Sequence, residues 1–239
     1  MVSIFPILVL NARPAAGKSE IIHYLKEVPL EERKERFHIG SLKILDDFRM
    51  LWTWFEEDDL LEKEFGYPRL HSTPDHYFNE QVYWHLLIRR LSLEYEKVQR
   101  DVTEKGTVLI EFSRGAEHGG YREAYQHLSD MILERAACIY VQVSFDESLR
   151  KNRKRFNPDR PDSILQHALE DEKMKKIYLE DDWFQFTASN PVHLSVRNIQ
   201  IPYVVFENED DVTTQGGSEL SLRLERVLGR LWKTWEQMH

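Results

Sequence analysis

The feature that most constrains the fold of this chain is an apolar run at residues 4–10, which leads through a small-residue loop into a helical pattern. The run, Ile-Phe-Pro-Ile-Leu-Val-Leu, contains no charged residue, as expected of a strand that is buried on both faces of a sheet. Residues 20–26, Glu-Ile-Ile-His-Tyr-Leu-Lys, have the spacing of an amphipathic helix. A buried strand followed at once by a helix predicts an α/β fold whose first loop lies at the carboxyl end of the first strand.

The loop between these two elements reads Asn-Ala-Arg-Pro-Ala-Ala-Gly-Lys-Ser at residues 11–19. It fits the phosphate-binding loop pattern, with Ala12 where the first glycine usually stands, a replacement that is tolerable if its φ is negative. In such a loop the backbone N–H groups bind a triphosphate, Lys18 reaches its β- and γ-phosphates, and Ser19 holds Mg²⁺. The predicted nucleotide-binding residues are Ala12, Pro14, Ala15, Ala16, Gly17, Lys18, Ser19 and Glu20, of which Lys18 is also catalytic. The alternative is an ordinary strand-to-helix turn in which Gly17 only relieves crowding.

Composition and charge limit the classes of partner. The 239-residue chain is 41% apolar and 31% charged, which is typical of a globular protein of one domain. Its net charge of −9 argues against a general nucleic-acid or anionic-membrane binder, because phosphate backbones attract basic surfaces. A single cysteine, Cys138, excludes a disulfide framework, and the sequence shows neither signal-peptide features nor a membrane-length apolar run. We therefore predict one soluble cytoplasmic domain without nucleic-acid or membrane partners, and leave a homodimer open.

Strand and helix patterns alternate along the chain. Strands are predicted at residues 4–10, 36–45, 107–112, 138–144 and 202–206. Helices are predicted at residues 17–27, 48–64, 77–103, 121–136, 146–156, 163–181 and 218–237. Ser163 and Gln166 form a capping-box pattern at the start of one of these helices. The alternation predicts a parallel sheet between two layers of helices, with a ligand site at the carboxyl ends of the strands.

Carboxylates follow the second and third predicted strands. Glu111 ends an apolar strand as the acid of a Walker-B strand does, and we predict that it holds the metal opposite Ser19. Asp46 and Asp47 follow the second strand, and one of them is predicted to accept or orient the proton of an acceptor hydroxyl, or to bind the metal. A surface position is the alternative for each of these acids.

Arginines are the candidates for contacts with a transferring phosphoryl group. Arg114, just after the third strand, is predicted to contact an anionic or hydroxylated acceptor, unless it is a solvated loop residue. Six basic residues cluster after the fourth strand, around an Asn-Pro-Asp turn, although the protein as a whole is acidic. We predict a mobile lid at residues 150–163, in which Arg153 and Arg155 are catalytic and Arg150 contacts the nucleotide. The alternative is a solvated helix face.

The loop after the last predicted strand would pass near the nucleobase. It reads Glu-Asn-Glu-Asp-Asp at residues 207–211, and it would offer backbone groups and the Asn208 amide to the base. An acidic surface turn is the alternative. The loop only partly matches a guanine-reading Asn-Lys-x-Asp motif, so the sequence leaves ATP and GTP open.

The histidines lack the spacing of a zinc site. Those considered are His38, His71, His76, His85 and His118. The number of residues between them does not match the spacing of known zinc ligands, so no zinc site is predicted.

Taken in order, these motifs resemble those of the P-loop nucleoside and nucleotide kinase family. The resemblance rests on residues 12–19 as the phosphate loop, 46–47 after strand two, 109–111 as the Walker-B strand, 150–160 as the lid and 206–211 beside the base. It implies a five-stranded parallel sheet of order 2-3-1-4-5 between helices. Residues 111–114, Glu-Phe-Ser-Arg, are similar to the acid-arginine-serine motif of deoxynucleoside kinases, with a phenylalanine and a serine intervening.

The leading hypothesis is an ATP- and Mg²⁺-dependent phosphotransferase that acts on a small hydroxyl- or phosphate-bearing acceptor, such as a nucleoside or nucleotide. A helical insert at residues 48–103 would bind this acceptor, with most of its aromatic side chains in the core and a minority stacked on a ring. The rival is a nucleotide-binding ATPase or regulatory module, and a third option is a degenerate phosphate loop that binds without turnover. Lid arginines distinguish a transferase from a switch ATPase, which relies on a positioned water.

Overall fold

A six-stranded sheet forms the centre of the computed structural model, which describes residues 4–101, 106–155 and 168–239. Its strands are β1 (Ile7–Ala12), β2 (Leu42–Asp46), β3 (Thr107–Phe112), β4 (Ala136–Gln142), β5 (His193–Val196) and β6 (Ile199–Glu207). Their order is β2-β3-β1-β4-β6-β5, and each pairing is parallel except that of β5 with β6. The parallel strands thus have the expected order 2-3-1-4-5. The predicted fold class, a parallel α/β sheet of this strand order between helices, is confirmed, with six strands instead of five.

Strand β1 lies between β3 and β4. All of its residues are buried, because other strands cover both of its edges and helices cover both of its faces. This position explains the uninterrupted apolar run in the sequence. The loop that follows β1 therefore lies at the carboxyl ends of the neighbouring parallel strands, where ligands of open α/β sheets bind.

Helices connect the strands and form the outer layers. They are α1 (Lys18–Glu27), α2 (Leu30–Phe37), α3 (Asp47–Phe65), α4 (Val82–Asp101), α5 (Gly120–Gln126), α6 (Asp130–Leu133), α7 (Phe145–Arg155), α8 (Asp171–Tyr178), α9 (Trp183–Thr187), α10 (Val212–Gln215) and α11 (Gly217–Met238). A 3₁₀ turn at Ala116–His118 precedes α5. Within the three described ranges, no helix is both long enough and apolar enough to cross a membrane.

The sheet has a separate hydrophobic core on each face. Leu8 and Leu10 of β1 belong to the core that includes apolar residues of α1 and α11. Ile7 and Val9 belong to the core that includes apolar residues of α4 and α5. This alternation follows from the two-residue period of a strand, and it confirms the three-layer arrangement.

The strand predicted at 36–45 is wrong in its first half. Helix α2 extends to Phe37, and His38 ends it with a left-handed φ of +56°. Strand β2 begins only at Leu42. The short antiparallel strand β5 is an addition to the predicted set.

The predicted helices differ from the structure mainly at their ends. The helix predicted from residue 77 begins at Val82, and the one predicted at 121–136 is divided into α5 and α6. The described part of the lid is the end of α7, because residues 156–167, with the capping box at 163–166, lie outside the described residues.

Candidate active site

The loop between β1 and α1 is closely packed at a left-handed glycine. Gly17 has a φ of +112°, and a Cβ atom there would lie 2.5 Å from Thr213 Oγ1 and 2.7 Å from Asn208 Nδ2. Ala15 also has a positive φ, +55°, which is uncommon for a residue other than glycine. Ala12 lies in β1 and is not among the positive-φ residues, as an alanine at that place requires. Unusual backbone conformations of this kind cluster at ligand-binding loops.

The donors of this loop fit the triphosphate that the sequence predicts. The backbone N–H groups of Gly17, Lys18 and Ser19 have no hydrogen-bond acceptor among the described residues. Lys18 and Ser19 form the first turn of α1, where the positive end of the helix dipole lies. Unpaired N–H groups at a helix start are the donors that phosphate oxygens bind.

Replacing Gly17 with alanine is expected to weaken nucleotide binding and to lower the stability of the fold together. The methyl group would overlap Thr213 and Asn208, and the residue would have to keep a φ of +112°. A left-handed conformation costs a non-glycine residue about 1–2 kcal/mol, and overpacking typically adds about 1–3 kcal/mol. Thermal unfolding and calorimetric titration with ATP measure the two effects.

Gly229→Ala is the matched control for this substitution. Gly229 lies in α11, and a Cβ atom there meets nothing within 4 Å. Alanine is therefore expected to stabilise the helix by about 0.5–1 kcal/mol and to leave ATP binding unchanged. A Gly17→Ala protein with unchanged Tm and ATP affinity would contradict the role assigned to the loop.

Lys18 lies close to the groups that end β2 and β3. Its Nζ donates a hydrogen bond to Ser113 Oγ at 2.7 Å. Burial lowers the pKa of Lys18, while the negative charges of Glu111 and Asp46 act in the opposite direction. The lysine is therefore within electrostatic reach of both carboxylates that the sequence predicts for the site.

Asp46 and Glu111 lie side by side because they occupy the same register at the ends of two adjacent parallel strands. Burial, followed by the charges of Glu111 and Asp47, raises the pKa of Asp46 to about 7. Burial also raises the pKa of Glu111, against the lowering effect of Lys18. Two adjacent carboxyl groups shielded from water tend to share a proton until a cation is present. Carboxylate oxygens are ligands that Mg²⁺ prefers, so Glu111 fits a magnesium ligand with Asp46 as its proton-sharing neighbour.

Asp47 forms a buried ion pair with Arg114. The Nη1 atom of the arginine lies 2.7 Å from Asp47 Oδ2, and the two side chains are only 2% and 8% exposed. The guanidinium also donates to the carbonyl oxygens of Ser113 and Trp84. Arg114 is thus not a solvated loop residue, and its donors are directed at protein groups. The pair joins the start of α3 to the segment that follows β3. Because Asp47 is bound by Arg114, Asp46 is the aspartate that lies beside Glu111.

The Asn208 amide is not directed at a nucleobase, and this part of the sequence-based interpretation is corrected. Its nitrogen donates to the carbonyl of Ala16 and to Thr213 Oγ1, both at 2.8 Å. Its oxygen accepts from the backbone N–H of Thr213 at 3.2 Å, and the side chain is fully buried. Asn208 instead supports the backbone of the phosphate loop next to Gly17.

The first basic residues of α7 bind the loop that follows β6. Arg150 donates to Glu147 and to Asp211, and it is half exposed. Lys151 is buried, and its Nζ lies 2.5 Å from Asp211 Oδ1 and 3.3 Å from Thr213 Oγ1. Both residues therefore connect α7 to the segment that supports the phosphate loop.

The two arginines predicted to be catalytic have different surroundings. Arg153 forms an exposed ion pair with Asp171 of α8. Arg155 is the last residue of α7. Burial has the largest effect on the pKa of Lys18 and on that of Glu111, and the positive charge of Arg155 lowers both pKa values by a smaller amount. Arg155 is the better placed of the two to act on a phosphoryl group near Lys18.

A cavity of about 650 Å³ lies next to the Arg114–Asp47 pair, since Phe48, which follows Asp47, is part of its lining. Its aromatic lining consists of Phe48, Trp52, Phe55, His76, Tyr77, Phe78, Trp84, His118 and Tyr178. Trp84 connects the cavity to the charged site, because the Arg114 guanidinium lies 5.1 Å from its ring centre. Charged residues at the rim include Lys173, which donates to the carbonyls of Asp75 and His76. The segment at residues 48–103 thus supplies most of the aromatic lining, a larger share of its aromatic residues than the minority that the sequence predicts for ligand contacts.

His118 is a member of this lining that the sequence does not single out. It stacks on Trp84 with ring centres 3.7 Å apart and is almost fully buried. Burial, and secondarily the charge of Arg114, lowers the pKa of His118 to about 2, so the ring is neutral. Its Nδ1 has no hydrogen-bond partner in the described part of the chain. This nitrogen is itself buried, so His118 contributes its ring to the cavity wall as a neutral aromatic group.

Sequence reasoning also misses the residues that hold the site in place. Ser113 accepts the Lys18 hydrogen bond, and only its position just after the Walker-B strand hints at this. Arg13, inside the phosphate loop, lies 2.9 Å from Asp181, a partner from the segment between α8 and α9. No spacing in the sequence signals a contact over that separation.

No protein-family model matches the sequence, and no curated protein matches it significantly. Among solved structures, a gluconokinase from Sinorhizobium meliloti 1021 is similar with 14% identity, a TM-score of 0.44 and coverage of 99% of each chain. TT1252 from Thermus thermophilus is similar with 14% identity, a TM-score of 0.39 and coverage of 98% of each chain. At these values neither similarity bears on substrate or activity.

Proposed function

We propose that this protein is an ATP-dependent phosphotransferase that transfers the γ-phosphoryl group of ATP to a small hydroxyl- or phosphate-bearing acceptor, such as a nucleoside or nucleotide. The observation that carries the proposal is the position of Lys18, Asp46 and Glu111 at one end of the sheet, after the loop that matches the phosphate-loop pattern. The Arg114–Asp47 pair connects this end of the sheet to an aromatic cavity that Phe48 and Trp84 line. A cavity next to the phosphates holds an acceptor in position to attack and keeps water from competing.

Each residue of the site has a separate role in this reaction. The phosphate loop and Lys18 bind the phosphates, and Ser19 and Glu111 hold the magnesium ion. Mg²⁺, when bound, neutralises charge that develops on the phosphate oxygens. Asp46, whose pKa is raised to about 7, accepts the proton of the acceptor hydroxyl. Arg155 neutralises the transferring phosphoryl group.

Binding of Mg²⁺ and ATP is expected to release a proton from the Asp46–Glu111 pair. Because the pKa of Asp46 is raised to about 7, the pair holds a proton below this pH, and a cation must displace it. The release should therefore be largest at mildly acidic pH and fade as the pH rises above neutrality. Calorimetric titrations in buffers of different ionisation enthalpy measure it directly.

The Asp46→Asn variant distinguishes proton release by the Asp46–Glu111 pair from proton release by the nucleotide itself. Asparagine caps a helix as well as aspartate does, so the hydrogen bond from the Phe48 N–H that begins α3 is retained. The release attributed to the pair should disappear in this variant. Equal proton release by both proteins would remove the shared proton from the mechanism.

A screen for acceptors tests the proposed function. Purified protein is incubated with γ-labelled ATP and pools of nucleosides, nucleotides, sugars and antibiotics, and Lys18→Ala protein run in parallel reveals contaminating kinases. Transfer of label to one pool, absent from the variant, is the expected result. Hydrolysis without transfer to any pool would contradict the phosphotransferase and favour an ATPase.

A further inference from the structure

Two histidines and a glutamate come together on the outer face of α4 and α5, although their sequence positions do not suggest it. His85 lies on α4, Glu123 lies on α5, and His127 is the C-terminal cap of α5. One ligand atom from each side chain lies within 4.8 Å of the others, and all three residues are partly exposed. Zinc-bound nitrogen and oxygen atoms are about 3.3 Å apart at bond lengths near 2 Å, so small side-chain rotations close the site.

The local geometry supports a ligand role for each residue. Glu123 and His127 are four residues apart on one helix, which places them on the same face, and His127 Nε2 lies 3.2 Å from Glu123 Oε1. The ring of His85 stacks on that of His127 with centres 4.2 Å apart. The nitrogens of His85 have no hydrogen-bond partner among the described residues, so its ring is available to a metal.

We propose that His85, Glu123 and His127 form a binding site for a divalent transition-metal ion, with Zn²⁺ as the best match. Imidazole nitrogen selects zinc and its neighbours in the first transition series over Mg²⁺. Two histidines and one glutamate form an established zinc ligand set, and the fourth coordination position is left to water.

An ion at this site joins α4 to α5 next to the candidate active site. His85 directly follows Trp84, whose carbonyl accepts from Arg114 at 3.2 Å. Arg114 in turn holds Asp47 at the start of α3. The ion therefore stabilises the helix segment against which the buried Arg114–Asp47 pair is packed. Histidine spacing along the sequence predicts no zinc site, because spacing cannot show that residues of α4 and α5 meet in the fold.

Zinc titration of the untagged full chain, stripped with a chelator, tests the proposal. Excess Mg²⁺ is present and nucleotide is absent, so the harder ion competes with Zn²⁺ for oxygen ligands such as Glu111 in the candidate active site. One Zn²⁺ per chain is expected to bind, and to raise Tm by mass action. His85→Ala and His127→Ala should each weaken the zinc affinity by at least about tenfold. Substituting a residue that merely hydrogen-bonds to a metal ligand already lowers metal affinity by about that factor.

His23→Ala is the matched control. His23 and Glu27 form an exposed pair with the same four-residue spacing on α1, at 3.1 Å, but no third ligand lies near them among the described residues. This variant should keep the wild-type zinc affinity and Tm shift. Glu123→Gln provides a second test if a histidine variant fails to fold, because it keeps the shape of the side chain and removes its charge.

Two outcomes would overturn the proposal. The first is a wild-type protein that binds no Zn²⁺, or binds it no more tightly than the double variant His85→Ala, His127→Ala. The second is an equal loss of affinity in His23→Ala, which would assign the binding to scattered surface histidines. Neither readout depends on nucleotide or on phosphoryl transfer.

Discussion

Lys18→Ala is expected to lower phosphoryl transfer by at least about 10²–10³-fold and to weaken ATP binding, while the protein stays folded. The ammonium group lies near Glu111 and Asp46, where the proposed function places the β- and γ-phosphates. The side chain is partly exposed and belongs to neither hydrophobic core, and its one hydrogen bond within the described ranges goes to Ser113 Oγ, so its truncation opens no gap in the core. Radiolabel transfer and calorimetric titration with ATP measure the two losses.

The same substitution makes a second, independent prediction about the carboxylates. Lys18 lowers the pKa of both Asp46 and Glu111, although burial of each group outweighs this effect. Loss of the ammonium group should therefore raise both pKa values further, and the pair should stay protonated to higher pH. NMR titration of the carboxyl carbons would detect the shift.

Lys26→Ala is the control for general effects of removing a charge from α1. Lys26 lies in the last turn of the same helix and is exposed. Its loss should change stability by no more than about 0.5 kcal/mol and leave turnover unchanged. If Lys18→Ala also kept wild-type ATP affinity in a folded protein, the phosphate-loop assignment would have to be abandoned.

The first strand, its loop and α1 are the part of the site that the sequence predicts best, because the information is local. A buried strand, a small-residue loop and a helix follow one another without interruption, and the structure places all three within one predicted stretch. The sequence also places an acid at the end of the second strand and another at the end of the third, but the register that sets Asp46 beside Glu111 is visible only in the structure. Local patterns and one topological rule therefore give the outline of the site.

The contacts that fix the site could not be predicted, because they join residues that are distant in the sequence. Asn208 and Ala16 are 192 positions apart, and Arg114 and Asp47 are 67 apart. An amide or a guanidinium has the same appearance in the sequence whether it binds a nucleotide or a protein carbonyl. Only the packed structure shows that these two side chains are already satisfied by protein partners.

Strand β5 and helix α2 were missed for reasons of length and composition. β5 has only four residues and alternates between exposed and buried positions at the edge of the sheet, so its apolar signal is weak. α2 reads Leu-Glu-Glu-Arg-Lys-Glu-Arg-Phe, and only Arg33 and Phe37 of it are buried. A helix this charged has almost no apolar stripe, and tertiary contacts rather than periodicity hold it in place.

Arg155→Ala and Arg153→Ala are expected to differ strongly, although the two residues are chemically identical and stand on the same helix. Arg155 acts electrostatically on Lys18 and Glu111, whereas Arg153 is paired with Asp171 at the surface. Charge spreads over the γ-phosphoryl oxygens in the transition state, so an arginine beside them lowers the barrier more than it strengthens nucleotide binding. Loss of Arg155 should therefore reduce kcat by about 10²-fold or more, with a small change in ATP affinity.

Arg153→Ala should behave as an ordinary surface substitution. Exposed ion pairs contribute about 0–1 kcal/mol, so its Tm should shift only slightly and its kcat should stay near wild type. Arg150→Ala adds a third measurement, because that residue is already paired with Glu147 and Asp211. The comparison uses the acceptor found in the screen and reads kcat separately from nucleotide affinity. Equal kcat values for all three variants and the wild type would exclude catalysis by the end of α7, and a loss confined to Arg153→Ala would reverse the assignment of the two arginines.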